Sequence, residues 1–188
     1  MEIPVSAPRS VNHPRIGVHI DKQIRNLMCE QISDSHRDLA GALLDHIRRS
    51  KAPHYRDAGL EELATRCRRL LDELVQAIRS DPGRLGGYVA RIAEERIAEG
   101  FPLDEVQMAL TFFEQEVWRL CDQRIASRQD LLKALSLVTW IIGHAKDELA
   151  RTFLRHKQRS AVDVARLEQR LEDLFKGTDS LPLIDDEN

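Results

Sequence analysis

The sequence predicts an all-α protein: a helical bundle of about five or six helices, four-helix-bundle or globin-like, with a long C-terminal helix of coiled-coil character. Three observations predict it. Apolar residues recur at spacings of three and four over most of the chain, which is the period of one helix face. No alternating Val/Ile/Thr run lies between turn residues, and no Asn-Gly or Asp-Gly pair marks a hairpin. Nor does any segment repeat at a solenoid period.

The 188 residues suffice for one domain with tails and a real core. Aromatics make up only 5%, so packing must rest on Leu, Ile, Val and Ala. Residues 1–18 carry three of the seven prolines without periodicity and read as a flexible N-terminal arm. A helical bundle is expected over 19–160, a helical extension over 161–176 and a disordered acidic tail over 177–188.

Within the bundle, helical periodicity runs from about Asp21 to Arg49. Ile20, Ile24 and Leu27 form one stripe, and Leu39, Leu43 and Ile47 a later one. The polar stretch between them allows a break, with Ser33 or Asp34 capping a second helix. Pro53 interrupts the pattern. A helix follows from Leu60 to Arg79, with Leu63, Cys67, Leu74 and Ile78 on one face. Asp81-Pro82 fits an N-cap followed by proline. The next helix carries Leu85, Val89, Ile92 and Ile97 and stops at Gly100, which supplies a left-handed C-terminal position.

The clearest seam comes next: Leu103, Val106, Leu110, Phe113, Val117 and Leu120, entered through Pro102, with Asp104 and Glu105 in the first turn where the macrodipole favours negative charge. From about Arg128 a second seam runs through Leu131, Leu135, Val138, Ile142, Ala145, Leu149 and Phe153. It continues through Leu167, Leu171 and Leu174 with charges between, as a coiled coil leaving the domain.

Chemistry is sparse. A di-metal carboxylate bundle needs Glu-x-x-His on two helices, and the chain has none. His144 and Glu148, at i and i+4, are one pair without partners. His36, His46 and His144 lie nearest the apolar stripes and are the candidate ligands for a haem or single metal, although such histidines are more often hydrogen-bonded flank residues. His13, His19 and His54 fall in loops, and His156 on the outer part of the last helix.

No Gly-x-Ser-x-Gly or phosphate loop is present, and "PGRLGG" reads as a helix junction. "GHAKDEL" only faintly suggests a phosphoacceptor histidine, with no ATP-binding segment after it. Arg66, Arg68 and Arg69 precede Asp72 and Glu73, which makes a mixed solvated face. A net charge of −3 does not suggest a nucleic-acid or anionic-membrane partner. Phe112, Phe113, Trp118 and Trp140 are expected in the core. Three dispersed cysteines, Cys29, Cys67 and Cys121, read as buried thiols of a reducing compartment, and the expected location is the cytoplasm.

The segment "ARIAEERIAEGFPLDEVQMALTFFEQEVWRL" combines Arg91 and Arg96 at a helix end, Gly100-Phe101-Pro102 with an acidic first turn, and an apolar helix ending near a tryptophan. It resembles the RsbRD-type N-terminal domain found at the front of RsbT co-antagonist proteins, and the similarity extends more loosely over residues 20–155. The resemblance implies a non-catalytic, all-helical input module of a stress or environmental signalling pathway. The segment after residue 175 is too short for the STAS domain that follows this module in related co-antagonists. With two long seams at spacings of three and four, a coiled-coil-like exit and no catalytic constellation, the chain is expected to act through protein–protein contact, as a homodimer and with a regulatory partner such as a switch kinase, using no cofactor and performing no catalysis. The alternative is a small-molecule or haem-binding globin-like sensor domain of a signalling protein such as a histidine kinase.

Overall fold

A computed structural model describes residues 22–178, with side chains described over residues 22–172. The expected arm, Ile20 and nearly all of the expected tail lie outside the described residues, as does the side chain of Leu174. The described residues form seven helices: α1 (Lys22–Asp34), α2 (His36–Arg49), α3 (Pro53–Asp57), α4 (Leu60–Arg79), α5 (Gly83–Ala98), α6 (Leu103–Arg124) and α7 (Arg128–Thr178). The sequence expectation of five or six turns on two places: it left the break between α1 and α2 open, and it read the stretch after Pro53 as an interruption without a helix.

The first is Ser35, between α1 and α2. Neither Ser33 nor Asp34 caps α2. Ser35 occupies the N-cap position without a side-chain bond to the helix, and its hydroxyl is buried without a partner. The second is the segment after Pro53. Ala52 is extended, as a residue before proline must be, and Pro53 then opens a five-residue helix that buries Tyr55.

Other boundaries follow local chemistry. The Gly83 N–H donates to Asp81 Oδ1 at 2.9 Å, so Asp81 supplies the expected cap for α5. At the end of α5, Gly100 has φ of +84°. The Gly100 N–H donates to the Ile97 carbonyl at 3.1 Å and the Phe101 N–H to the Arg96 carbonyl at 2.9 Å. That pair of bonds is a Schellman motif. Its usual apolar contact is replaced here: the Arg96 guanidinium stacks over the Phe101 ring at 4.5 Å. Pro102 takes an extended backbone as the N-cap of α6, one position before the first helical residue.

α7 is the spine of the fold. It packs most extensively on α5, then on α6, and touches α1 and α4. Val138, Ile142, Ala145 and Leu149 are buried as the seam requires, and Ala134, Leu137 and Ile141 are fully buried beside them. This second row exists because α7 is covered from two sides, so its apolar arc is wider than one seam. Each fully buried Leu or Ile contributes about 1.5–3 kcal/mol of transfer free energy. Phe113 is buried, whereas Phe112 is half-buried against the His46 ring at 5.5 Å. Trp118 and Trp140 are not core: they are 41% and 43% exposed. Trp118 lies about 100° round the helix from Val117, outside the α6 seam, and Trp140 projects from the side of α7 away from its buried row.

Past Phe153 the helix leaves the bundle. Leu154, Val162, Val164, Leu167 and Leu171 are all more than half exposed. Gly177 and Thr178, expected in the tail, remain helical.

Candidate functional site

α4 and α5 run alongside each other and, with α2, α3 and α6, enclose an apolar cavity of about 60 Å³. α4 contributes Leu63, Cys67 and Leu70, and α5 contributes Val89 and Ile92. Leu43 and Ile47 of α2, Val106 and Leu110 of α6 and Tyr55 of α3 complete its lining. These positions recur every three or four residues on their own helices, so each helix turns one face inward. Burial holds the Tyr55 hydroxyl up to about 12, against the opposing pull of Arg96 and Arg66. Burial likewise holds the Cys67 thiol up to about 12.

Arg66 and Arg96 also line the cavity. Arg66 donates to Glu62 at 2.7 and 3.0 Å and to Glu95 at 2.8 Å. Arg96 is 3% exposed, pairs with Glu99 and lies 3.8 Å from Glu62, while its Nε–H is buried without an acceptor. This network ties the first turn of α4 to the last turns of α5. The hydrogen bond from Arg66 and the charge beside it lower the Glu62 carboxyl below its ordinary value.

Outside the cavity, a polar groove between α4 and α5 shares Arg66, Tyr88 and Ile92 with its lining. The Arg69 and Arg91 guanidiniums stand 5.8 and 5.6 Å from the centre of the Tyr88 ring. Burial also raises the Tyr88 hydroxyl above its ordinary value. Sequence reasoning missed Tyr88, Arg91 and Arg96 as a group. Their only signal is helical spacing on α5, which says nothing about the helix they face.

On α4, Arg68, Arg69 and Asp72 are exposed, as a mixed solvated face requires, but the carboxylates of that face bind other helices. Asp72 binds His36 Nε2 at 3.0 Å and Glu73 lies 3.5 Å from Arg84, so both carboxylates reach across to other helices. Arg68 donates to Thr65 instead, at 3.0 Å.

The three candidate histidines are not brought together, and none lines the cavity. His36 sits on Asp72. His46 Nδ1 lies 3.0 Å from Glu116, a buried carboxylate that also accepts from Arg119. His144 is half-buried on α7 against α5, where a Cβ added to Gly86 would stand 3.2 Å from its Cδ2. Glu148, beside it, accepts from Arg151 at 2.5 Å. His54, expected in a loop, is on α3 and binds the buried Glu105 at 2.9 Å. Glu105 therefore pairs across helices as well as standing in the first turn of α6. Among the described residues, no three His, Cys, Asp or Glu side chains group as a metal site. Nor is any described helix long and apolar enough to cross a membrane.

The family described as the RsbT co-antagonist protein rsbRD N-terminal domain matches residues 37–168. No curated protein matches the chain. Among solved structures, the fold is similar to the globin domain of E. coli DosC. Its ferrous form II gives a TM-score of 0.60 at 17% identity, covering 70% of this chain and 90% of that one. Its ferric form I gives 0.60 at 16% identity with the same coverage. The likeness establishes a globin-like fold.

Proposed function

From the premise that this chain belongs to the RsbT co-antagonist rsbRD N-terminal domain family, we propose that it is a non-catalytic cytoplasmic input module of a bacterial stress or environmental signalling pathway, whose output is protein–protein contact. The observation that carries the proposal is the far end of α7. Val164, Leu167 and Leu171 recur at spacings of three and four, are each more than half exposed, and are covered by nothing among the described residues. Apolar residues at that spacing on a helix clear of its own bundle are what a second helix covers. The partner is a second copy of the chain, assembling a homodimer through this extension, with a regulatory protein such as a switch kinase engaging the assembly. The helical bundle acts as the sensory unit, and the part of α7 beyond it as the element that transmits its state.

Chemical crosslinking and a pull-down test the reading. A crosslinked dimer and a captured signalling protein are expected. A chain that stays monomeric at high concentration and captures no signalling protein overturns it.

A second reading, a small-molecule sensor, is favoured by the apolar cavity. The DosC structures are of ferrous and ferric forms, so a haem is the first ligand to test against the residues present. They do not fit one. A cavity of about 60 Å³ does not admit a macrocycle, and no histidine lines it. Cys67 and Tyr55 do line it, but a space of that size lets neither face a haem iron.

A further inference from the structure

We propose that the cleft between α4 and α5 binds a short aliphatic monocarboxylate, its apolar chain in the cavity and its carboxylate between Arg69 and Arg91 at the mouth. The role of such a ligand as a signal rests on the function proposed above, whereas its binding does not.

The two halves of the cleft call for opposite chemistry. Inside, Leu43, Leu63, Cys67, Val89 and Leu110 leave a cavity that offers a ligand almost only carbon. Outside, the groove holds Glu61, Glu62 and Glu95 against Arg66, Arg69 and Arg91. Arg66 takes Glu62 and Glu95 for itself. Arg69 and Arg91 form no ion pair among the described residues; each stands near the Tyr88 ring, at the point where groove and cavity meet. Two guanidiniums beside one aromatic ring suit a planar anion, which they bind by charge-assisted hydrogen bonds. A purely apolar ligand would leave them unused, and a free anion such as acetate would leave the cavity empty. Arg96, one of the lining residues, keeps a buried Nε–H without an acceptor. Occupancy would be felt at α7, because α5 is both a wall of the cavity and the principal neighbour of α7.

Calorimetric titration of the full chain with hexanoate, hexan-1-ol and acetate tests this. Hexanoate is expected to saturate at millimolar concentration or below, well ahead of acetate. Replacing both cations, Arg69→Gln with Arg91→Gln, should weaken hexanoate at least about tenfold, as loss of a charge-assisted hydrogen bond does, and leave hexan-1-ol unchanged. Ala109→Leu, which fills the cavity from α6, should weaken both. Should that variant fail to fold, the exposed arginine variants decide alone. Hexanoate binding no tighter than acetate, or equal affinity with and without the two arginines, overturns the proposal. Sedimentation of the same samples keeps the readings apart. A monomer that binds hexanoate overturns only the assembly, and a dimer that ignores hexanoate overturns only the ligand.

Discussion

Gly86 and Gly87 are neighbours inside α5, and alanine at the two should act in opposite directions. A glycine in a helix interior costs about 0.5–1 kcal/mol relative to alanine through backbone entropy. At Gly87 an added Cβ meets nothing within 4 Å, so Gly87→Ala should return that amount as stability. At Gly86 the Cβ would stand 3.2 Å from Glu148 Cγ and from His144 Cδ2, and 3.4 Å from His144 Nε2. Carbon pairs rest at about 3.5–4.0 Å, so two atoms of α7 must withdraw. Glu148 is a flexible chain, although Arg151 holds its carboxylate, while the His144 ring offers a broader wall. Overpacking of this kind costs about 1–3 kcal/mol, which outweighs the propensity gain. Gly86→Ala should therefore destabilise by about 0.5–2 kcal/mol, the two variants differing by about 1–3 kcal/mol. Urea unfolding monitored by circular dichroism measures both at unchanged slope. Adding His144→Ala to Gly86→Ala should recover part of the loss, giving a favourable coupling in a double-mutant cycle. If both glycines stabilise equally on replacement, the close approach of α5 to α7 at this crossing is wrong, and with it the route from cavity to α7.

Three further predictions concern the same bundle. Gly100→Ala places a Cβ at φ of +84° and should cost about 1–2 kcal/mol in urea unfolding, with no change at the α4 end. Cys67, Cys121 and Tyr55 are held up to about 12, 11 and 12 by burial, above ordinary values of 9.0, 9.0 and 10.0. The folded state binds these protons more tightly than the unfolded chain, so their contribution is fully present below about pH 9 and is lost as pH rises towards 12. Each group should lower the unfolding free energy by about 1.4 kcal/mol per pH unit across its own interval. Aromatic disulfide reagents should accordingly react with Cys67 and Cys121 only as the chain unfolds; prompt labelling at neutral pH would contradict their burial.

How much of this the sequence carried depends on whether a feature is local. The Gly100-Phe101-Pro102 turn was fully legible, because capping chemistry is written in the residues that perform it. The Leu60–Arg79 helix and the α6 seam were legible for the same reason, since period and breakers are local. Seven helices in place of five or six follow from Ser35, where short-range signals left a break open, and from Pro53, whose interruption concealed a helix of only five residues. Leu137 and Ile141 were hidden because a seam reveals one contact face, whereas α7 is packed on two. The tryptophans misled because residue type outweighed phase: Trp118 is one position off its seam. The candidate cleft was not legible at all. Its residues come from five helices, and the opposition of Tyr88 to Arg69 is a tertiary fact. His36, His46 and His144 stood out only as histidines near stripes, and each has a carboxylate partner or a packing neighbour instead of a shared site.

The central claim is that the exposed apolar row on α7 is an assembly surface. Sedimentation equilibrium of the full chain, beside a variant carrying Leu167→Glu and Leu171→Glu, tests it most directly. Both leucines are more than half exposed, so the substitutions should leave the bundle folded by circular dichroism. The account predicts the mass of a dimer for the natural sequence and of a monomer for the variant. A natural chain that sediments as a monomer at high concentration, or a variant that remains dimeric, contradicts it.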